Sequence, residues 1–404
     1  MSDFVAGLHP LVIAGAIVAA YFAAALWALG ANLVLATRKT DARLVRAGLL
    51  RRWWRRYRSI WLRSGLTLAG WPHVVDVLLR TKRVSVATTP AEVVWEEGRA
   101  ALYRYRSTVR HAEPVLVVHA VVSKPWILDL TPERSFVAAL ANAGFDVFLL
   151  DWGDPAPEDA ARGLTAYANT LLRAERIVLT ITGRERVHLV GYCFGGTLCL
   201  ARAAARDHAR VGSIALLAAP VDFSVPAGLN PLMTHPLFKP VYVLDEHGLV
   251  PAAAVRESFH ALRPQAMRTA LTAWRRRRDP SFRKTYDPLA RWVWEHRELP
   301  GQMFFDLVDL FRTNGLAAGT LELAGEIARL DDVRAPVLAL IPEHDHITPS
   351  GSSHALTTHR GLDVTVVNAA AGHVSMIAGS AARETTWPRI TEWLERNQGA
   401  SGSS

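Results

Sequence analysis

One cysteine of this chain stands at the junction of two sequence patterns, where its side chain could act as a nucleophile. The apolar run Val187–Tyr192 predicts a buried strand, and the small-residue run Phe194–His208 predicts a helix after it. Cys193 lies between them, and the glycines around it are Gly191, Gly195 and Gly196. Glycines permit the sharp turn and close strand-to-helix packing of a nucleophile elbow. Because a thiolate attacks thioesters and is a good leaving group, this elbow favours acyl transfer over plain ester hydrolysis.

Two further side chains follow in the order nucleophile, acid, histidine, which is the order of the α/β-hydrolase triad. Asp345 follows the strand-like run 336–341, and His373 follows the strand-like run 364–368. We expect His373 to take the thiol proton and Asp345 to orient the imidazole or hold its charge. Glu343 is the main rival for the role of the acid.

Backbone N–H groups should stabilise the oxyanion that forms when the cysteine attacks a carbonyl group. The N–H of Phe194, the residue after the nucleophile, is the first expected donor. The second is expected in the loop after the strand-like run 115–122, at Val122 or its neighbour Val121. His119 could also line the site, although a structural role at the strand end is favoured.

Strand-like and helical runs alternate from about residue 91 to residue 397. This alternation predicts an α/β-hydrolase fold, with a mostly parallel, doubly wound sheet and helices on both faces. Residues 222–330 interrupt it with a Trp- and Arg-rich stretch of helical periodicity. We predict a lid insertion there, which would exclude water from an acyl-enzyme. The small, polar tail 398–404 is expected to be disordered.

The composition of the 404 residues suits a large buried core in a reducing compartment. Half of the residues are apolar, and the only cysteines are Cys193 and Cys199, which excludes a disulfide framework. Cys199 falls inside the predicted helix and is expected in the core. The net charge of +9 is concentrated in residues 38–110, which carry 17 Lys and Arg against 5 Asp and Glu.

An N-terminal apolar stretch predicts a transmembrane helix over residues 10–36. No Asp, Glu, Lys or Arg occurs from Phe4 to Thr37, and this length can span a bilayer with some tilt. A signal peptide fits less well, because a positive n-region is missing and the run is too long. A buried or partner-docking helix is the remaining alternative. Basic residues follow only the C-terminal end, which places the N-terminus outside and the catalytic domain in the cytoplasm.

The basic segment 37–90 comes directly after this helix. Within it, residues 42–63 place Trp, Tyr, Leu and Ile at helical spacing among arginines, a pattern typical of an interfacial membrane helix. The alternatives are a solvated basic helix packed on the main domain and, less favoured, a nucleic-acid-binding segment. Because no nucleic-acid-binding module accompanies the arginines, we expect no nucleic acid as a partner. Four consecutive arginines, 275–278, could meet coenzyme A phosphates, but a solvated helix face is favoured.

The residues from about 91 to 397 resemble polyhydroxyalkanoate synthases, most closely the catalytic subunit of the short, two-component (class III) type. The matching stretches, in chain order, are residues 102–105, 124–130, 146–153, 191–196, 220–223, 314–315, 345–346 and 372–373. The Gly-Tyr-Cys-Phe-Gly-Gly box and the Leu-Asp-Trp-Gly run are fairly specific when they occur together.

The resemblance implies polymerisation of 3-hydroxyacyl-CoA into a polyester, with release of coenzyme A. Cys193 would hold the acyl chain, His373 would activate the thiol, and Asp345 would assist, either through the imidazole or by activating the incoming hydroxyl. The thioester is a substrate, and neither a metal nor a cofactor is expected. Candidate partners are a membrane or polymer granule surface, a second synthase subunit and a second copy of the chain.

Two other functional classes compete with a synthase. A cysteine thioesterase, esterase or polyester depolymerase could use the same three residues, because water as well as an alcohol can resolve an acyl-enzyme. A non-catalytic scaffold at a membrane or granule surface is a further alternative, which the complete nucleophile, acid and histidine set argues against.

Overall fold

The computed structural model describes residues 84–111, 113–205, 210–262, 272–273 and 275–399. The chain divides into two compact units, one of residues 85–264 and 288–404 and the other of residues 1–84 and 265–287. The predicted membrane helix 10–36 and most of the predicted basic segment 37–90 lie outside the described residues. Among the residues described, no helix combines the length and the apolar character needed to cross a membrane.

An eight-stranded sheet forms the centre of the larger unit. Its strands are β1 Ala91–Glu97, β2 Ala100–Tyr105, β3 Val115–Val118, β4 Val147–Asp151, β5 Val187–Tyr192, β6 Val211–Leu217, β11 Val337–Pro342 and β12 Val364–Ala369. Their order is β1-β2-β4-β3-β5-β6-β11-β12. β2 pairs antiparallel with both β1 and β4, and all other pairs are parallel. The predicted α/β-hydrolase fold, with its mostly parallel sheet, is confirmed.

The central strands are buried on both faces, which explains their continuous apolar sequence. Leu189 of β5 belongs to the core cluster on one face of the sheet, whereas its neighbour Val190 belongs to the cluster on the other. The first cluster includes Leu171 and Leu198, and the second includes Trp387. Helices therefore cover both faces, as the alternation of strands and helices predicts.

Helices flank this sheet, and the one after the elbow begins at Phe194 as predicted. They are α1 Phe136–Ala143, α2 Leu164–Thr182, α3 Phe194–Ala205, α9 Ser350–His354, α10 Ser375–Ala378 and α11 Ala382–Arg396. β3 is shorter than predicted, because it ends at Val118 and residues 119–124 form a turn instead. The first two residues of the predicted disordered tail are also ordered. Gln398 accepts a hydrogen bond from the N–H of Glu113 (2.9 Å), and the N–H of Gly399 donates to the Glu113 side chain (3.2 Å).

A largely helical insertion separates β6 from β11, where the lid is predicted. Its elements are α4 Asn230–Met233, β7 Leu249–Val250, α5 Ala252–Ala261, α6 Pro280–Trp294, β8 Leu299–Pro300, α7 Gly301–Thr313, α8 Gly315–Ala318, β9 Leu321–Leu323 and β10 Glu326–Ala328. Asp306 of α7 accepts a hydrogen bond from the N–H of Leu164 at the start of α2 (2.6 Å). A carboxylate there satisfies an otherwise unpaired helix N–H and interacts favourably with the helix dipole. This contact attaches the insertion to the sheet layers.

Asn314 joins two parts of the insertion to each other. It lies between α7 and α8 in the left-handed region, with φ +53°. Its side-chain oxygen accepts from the N–H of Phe223 (2.8 Å), and its side-chain nitrogen donates to Asp222 (2.8 Å). Asp222 and Phe223 follow β6, so one amide group fixes the two ends of the insertion to each other.

Replacing Asn314 separates the backbone requirement from the hydrogen bonds. We expect Asn314→Ala to lower the free energy of unfolding by about 2 to 4 kcal/mol, because it loses both bonds and strains a positive φ. Asn314→Gly loses the same bonds without the strain. We therefore expect it to be more stable than Asn314→Ala by about 1 kcal/mol. Urea unfolding of the three proteins measures these values. Equal stability of the Ala and Gly variants would contradict the backbone requirement.

Candidate active site

The turn between β5 and α3 holds Cys193 in a strained backbone conformation. Cys193 has a φ of +55°, which non-glycine residues adopt rarely. A Cβ at Gly191 would lie 2.3 Å from the Cα of Gly196, and a Cβ at Gly195 would lie 2.3 Å from the carbonyl oxygen of Val118. The glycines predicted to form the elbow therefore allow β3, β5 and α3 to approach one another, and the turn projects Cys193 beyond the carboxyl end of the sheet.

His373 and Asp345 meet at the same edge of the sheet. Asp345 follows β11, His373 follows β12, and parallel neighbours deliver the residues after their carboxyl ends to one side. The His373 Nδ1 lies 2.6 Å from the Asp345 Oδ2, and the Asp345 side chain is fully buried. The other oxygen of Asp345 accepts from the N–H groups of Ile347 (2.7 Å) and Thr348 (2.9 Å). Both carboxylate oxygens are thus engaged.

The electrostatic environment of His373 couples it to both other members of the trio. Burial alone would lower the pKa of this imidazole. The charges of Cys193 and Asp345, with a hydrogen bond to each, outweigh burial and raise its pKa to about 10. Because Asp345 engages Nδ1, Nε2 is the ring nitrogen left for the sulfur of Cys193. The three predicted residues are therefore brought together, and Cys193 and Asp345 both favour the protonated form of the imidazole between them.

The predicted oxyanion donors lie at the N-terminus of α3 and in the turn after β3. Phe194 is the first residue of α3, so its N–H belongs to the helix N-terminus. Val122 lies in the turn after β3, and its carbonyl oxygen accepts a hydrogen bond from the N–H of Arg297 (3.1 Å). This turn adjoins α3, since the close contact of Gly195 involves the carbonyl oxygens of both Val118 and His119. Donors from the helix and from the turn can thus face one oxyanion beside Cys193.

The other candidate residues have different surroundings. Glu343 and His346 are exposed on the loop that buries the Asp345 side chain. Cys199 is fully buried in α3, where burial raises the pKa of its thiol, and it packs in the core as expected. The described arginines of the 275–278 run are mainly exposed, and Arg276 forms an ion pair with Asp279 (2.6 Å). Asp345 is therefore the carboxylate that reaches the histidine.

A cluster of three charged or polar residues that was not predicted from the sequence lies near the site, although a structural role was expected for one of them, His119. Arg297, within the insertion, is 3% exposed and reaches Asp151 at the end of β4 (2.5 Å). Asp151 stands in the Leu-Asp-Trp-Gly run, and the fully buried His119 lies 4.0 Å from it. Burial and the charge of Arg297 lower the pKa of His119 to about 3. No local pattern marks Arg297, because its partners come from distant parts of the sequence.

Titration of the two buried histidines tests the coupling at the site. A pKa near 10 keeps His373 protonated at neutral pH. The raised pKa stabilises the folded protein fully below the pKa of an unfolded histidine, about 6.5, and this stabilisation is lost as the pH rises through 10. Cys193→Ala removes the thiolate, so the pKa of His373 should fall. Histidine ring NMR between pH 5 and 10 follows the titration of His373 in the parent protein and in the variant. His119, which is neutral throughout this range, is the internal control. An unchanged His373 titration in the variant would contradict the pairing.

Two family models and a solved structure match this chain. The family model described as the alpha/beta hydrolase fold matches residues 113–379, and the model described as the Poly-beta-hydroxybutyrate polymerase (PhaC) N-terminus matches residues 82–140. An enol-lactonase structure from Burkholderia xenovorans aligns with 76% of this chain and 100% of its own, at a TM-score of 0.49 and 15% identity.

Similar proteins from an archaeon and a bacterium carry the same name. The chain is 30% identical over 324 residues to the "Poly(3-hydroxyalkanoate) polymerase subunit PhaC" of Haloferax mediterranei, covering 78% of this chain and 66% of that protein. It is 28% identical over 333 residues to the protein of the same name from Allochromatium vinosum, covering 79% and 92%. The chain therefore spans about two thirds of the haloarchaeal relative and nearly all of the bacterial one. With the cysteine elbow on an α/β-hydrolase fold, these matches identify the chain as a member of the PhaC family of poly(3-hydroxyalkanoate) polymerases, which are acyltransferases.

Proposed function

We propose that this protein polymerises 3-hydroxyacyl-CoA into a polyester through an acyl group bound to Cys193. The observation that carries the proposal is the trio of the elbow cysteine, His373 and Asp345, with the imidazole held at 2.6 Å by a fully buried carboxylate. The family membership of the chain supports a hydroxyacyl thioester as the substrate.

In the first half of the reaction, the Cys193 thiolate attacks the carbonyl carbon of the thioester. The N–H groups of Phe194 and Val122 bind the oxyanion that forms. When the carbon–sulfur bond to coenzyme A breaks, the His373 imidazolium gives its proton to the departing thiolate. The products are free coenzyme A, a neutral imidazole and an acyl group on Cys193.

In the second half, the hydroxyl group of another hydroxyacyl unit attacks the acyl-enzyme. His373 accepts the hydroxyl proton as the new ester bond forms, and cleavage of the bond to Cys193 restores the thiolate and the imidazolium. Asp345 holds the imidazole in place during both halves. Since both its oxygens already accept hydrogen bonds, a role through His373 is favoured over direct activation of the hydroxyl.

Hydrolysis is the competing outcome, because water can attack the same acyl-enzyme. The insertion favours transfer, since Asp306 and Arg297 attach it to the sheet layers, and Arg297 bonds to Val122, one of the proposed oxyanion donors. Exclusion of water protects a reactive acyl intermediate from hydrolysis. The complete trio, in turn, argues against a non-catalytic scaffold.

Turnover of 3-hydroxybutyryl-CoA by the full chain distinguishes the three candidates. We expect coenzyme A release with polymer as the product, and a fall in rate of at least about 1,000-fold in Cys193→Ala because the nucleophile is lost. Cys199→Ala is the matched control, since that thiol is buried away from the site. Free 3-hydroxybutyrate as the sole product would establish a thioesterase. Turnover that survives Cys193→Ala would refute the mechanism.

We further propose that residues 10–36 anchor the protein to a membrane, with the catalytic domain on the cytoplasmic side and the basic segment 37–90 at the lipid surface. The proposal rests on the uncharged run from Phe4 to Thr37 and the 13 Lys and Arg of residues 37–90. A polymer granule surface would satisfy the same apolar and basic residues.

Fractionation of cells that express shortened chains tests this anchor. Deleting residues 1–37 should move the protein from the membrane fraction to the supernatant, because the apolar run is gone. Carbonate washing of the full chain distinguishes a spanning helix, which remains in the pellet, from an electrostatically bound surface segment, which is released. Unchanged fractionation of the shortened chain would contradict anchoring by this run.

A further inference from the structure

We propose that Arg297 of the insertion is a positioning residue for the oxyanion donor of the turn at residues 119–124, here called the oxyanion turn. The inference deepens the proposed function and rests on it. It concerns a contact through which the insertion reaches both the backbone of this turn and the strand beside it.

Arg297 contacts the turn through its backbone N–H and, by way of two carboxylates, through its side chain. Its N–H donates to the carbonyl oxygen of Val122 (3.1 Å), the residue whose own N–H is the predicted donor. Its guanidinium group lies 2.5 Å from the Asp151 carboxylate and 3.0 Å from that of Asp154. Asp154 also forms an ion pair with Lys124, the last residue of the oxyanion turn. Arg297 is therefore linked to the turn directly and through two carboxylates.

The burial of this cluster makes its geometry sensitive to its charges. The Arg297 side chain is 3% exposed, Asp151 is 16% exposed, and His119 is fully buried beside them. Burial alone would raise the pKa of Asp151, but the charge of Arg297 and the N–H of Gly153 hold it below its usual range. A charge of this kind is stable in the interior only with its partner in place, so loss of Arg297 forces the surrounding groups to rearrange.

The oxyanion turn has the nucleophile helix on its other side. The carbonyl oxygens of Val118 and His119 lie so close to Gly195 that no Cβ fits between them. The turn thus lies between α3, which carries Phe194, and the segment that carries Arg297. A displacement at Val122 changes the separation of the two oxyanion donors, and misplacement by about 1 Å can cost about 100-fold in rate.

If Arg297 acts only through the oxyanion donor, its replacement should slow one reaction of Cys193 and leave the rate of another unchanged. Acylation by a thioester passes through an oxyanion, whereas alkylation by iodoacetamide is a direct displacement that forms none. Arg297→Gln should therefore slow single-turnover acylation by 3-hydroxybutyryl-CoA by about 10- to 100-fold. The same variant should react with iodoacetamide as fast as the parent protein, because the contacts of His373 and Asp345 are untouched.

Two further variants make the experiment decisive. Arg312→Gln is the matched control, because this arginine also lies in the insertion but donates to the carbonyl oxygens of Met233 and Phe238 within it, and this variant should acylate normally. Asp151→Asn removes the opposite charge of the same contact and should reproduce the selective loss. The variant with both changes, at 297 and 151, should be no slower than the slower single one. If Arg297→Gln does not fold, Asp151→Asn carries the test.

The outcomes separate this inference from the proposed function. If the parent protein is acylated and Arg297→Gln or Asp151→Asn acylates at the parent rate, the role of Arg297 is refuted and the proposed function stands. Equal slowing of acylation and alkylation would also refute it, since that is the result of a general structural defect. If the parent protein is not acylated by 3-hydroxybutyryl-CoA, both proposals fall.

Discussion

Cys193 occupies a backbone conformation, φ +55°, that is held between a buried strand and a buried helix. Such a conformation costs about 1 to 3 kcal/mol and persists only where the surrounding structure imposes it. Here the glycines at 191, 195 and 196 impose it, because they bring β3, β5 and α3 into contact. Once the thiol is fixed beyond the sheet edge, an acid and a base must come from the neighbouring strand ends, and the oxyanion donors from α3 and the turn after β3.

The charges at this edge are arranged in two buried groups with different tasks. At His373, the sulfur of Cys193 and the carboxylate of Asp345 favour the protonated imidazole, so a proton is available for a leaving thiolate. At His119, the nearby charge of Arg297 and deep burial favour the neutral ring instead. In the proposed mechanism the first group would exchange protons with the reactants, whereas the second keeps its charges on Arg297 and Asp151.

Much of this arrangement was predictable from the sequence because it depends on local patterns. The elbow, the parallel sheet and helix α3 follow from glycine spacing and apolar periodicity, and Asp345 and His373 follow from their places after strand-like runs. The choice between Glu343 and Asp345 needed the structure, since both lie in one loop and only Asp345 is turned inward by the N–H groups of Ile347 and Thr348. The early end of β3 was missed because its apolar sequence continues into the turn. Arg297 was missed because contacts between distant segments leave no periodic signal.

The account depends most directly on the acyl group that Cys193 is proposed to carry. The full chain would be mixed with 3-hydroxybutyryl-CoA, quenched in acid within one turnover, digested and analysed by mass spectrometry. We predict a hydroxybutyryl group on the peptide that contains Cys193, absent in Cys193→Ala and formed at the same rate as coenzyme A is released. Coenzyme A release without a modified Cys193 peptide, or an acyl group on another residue, would contradict the mechanism.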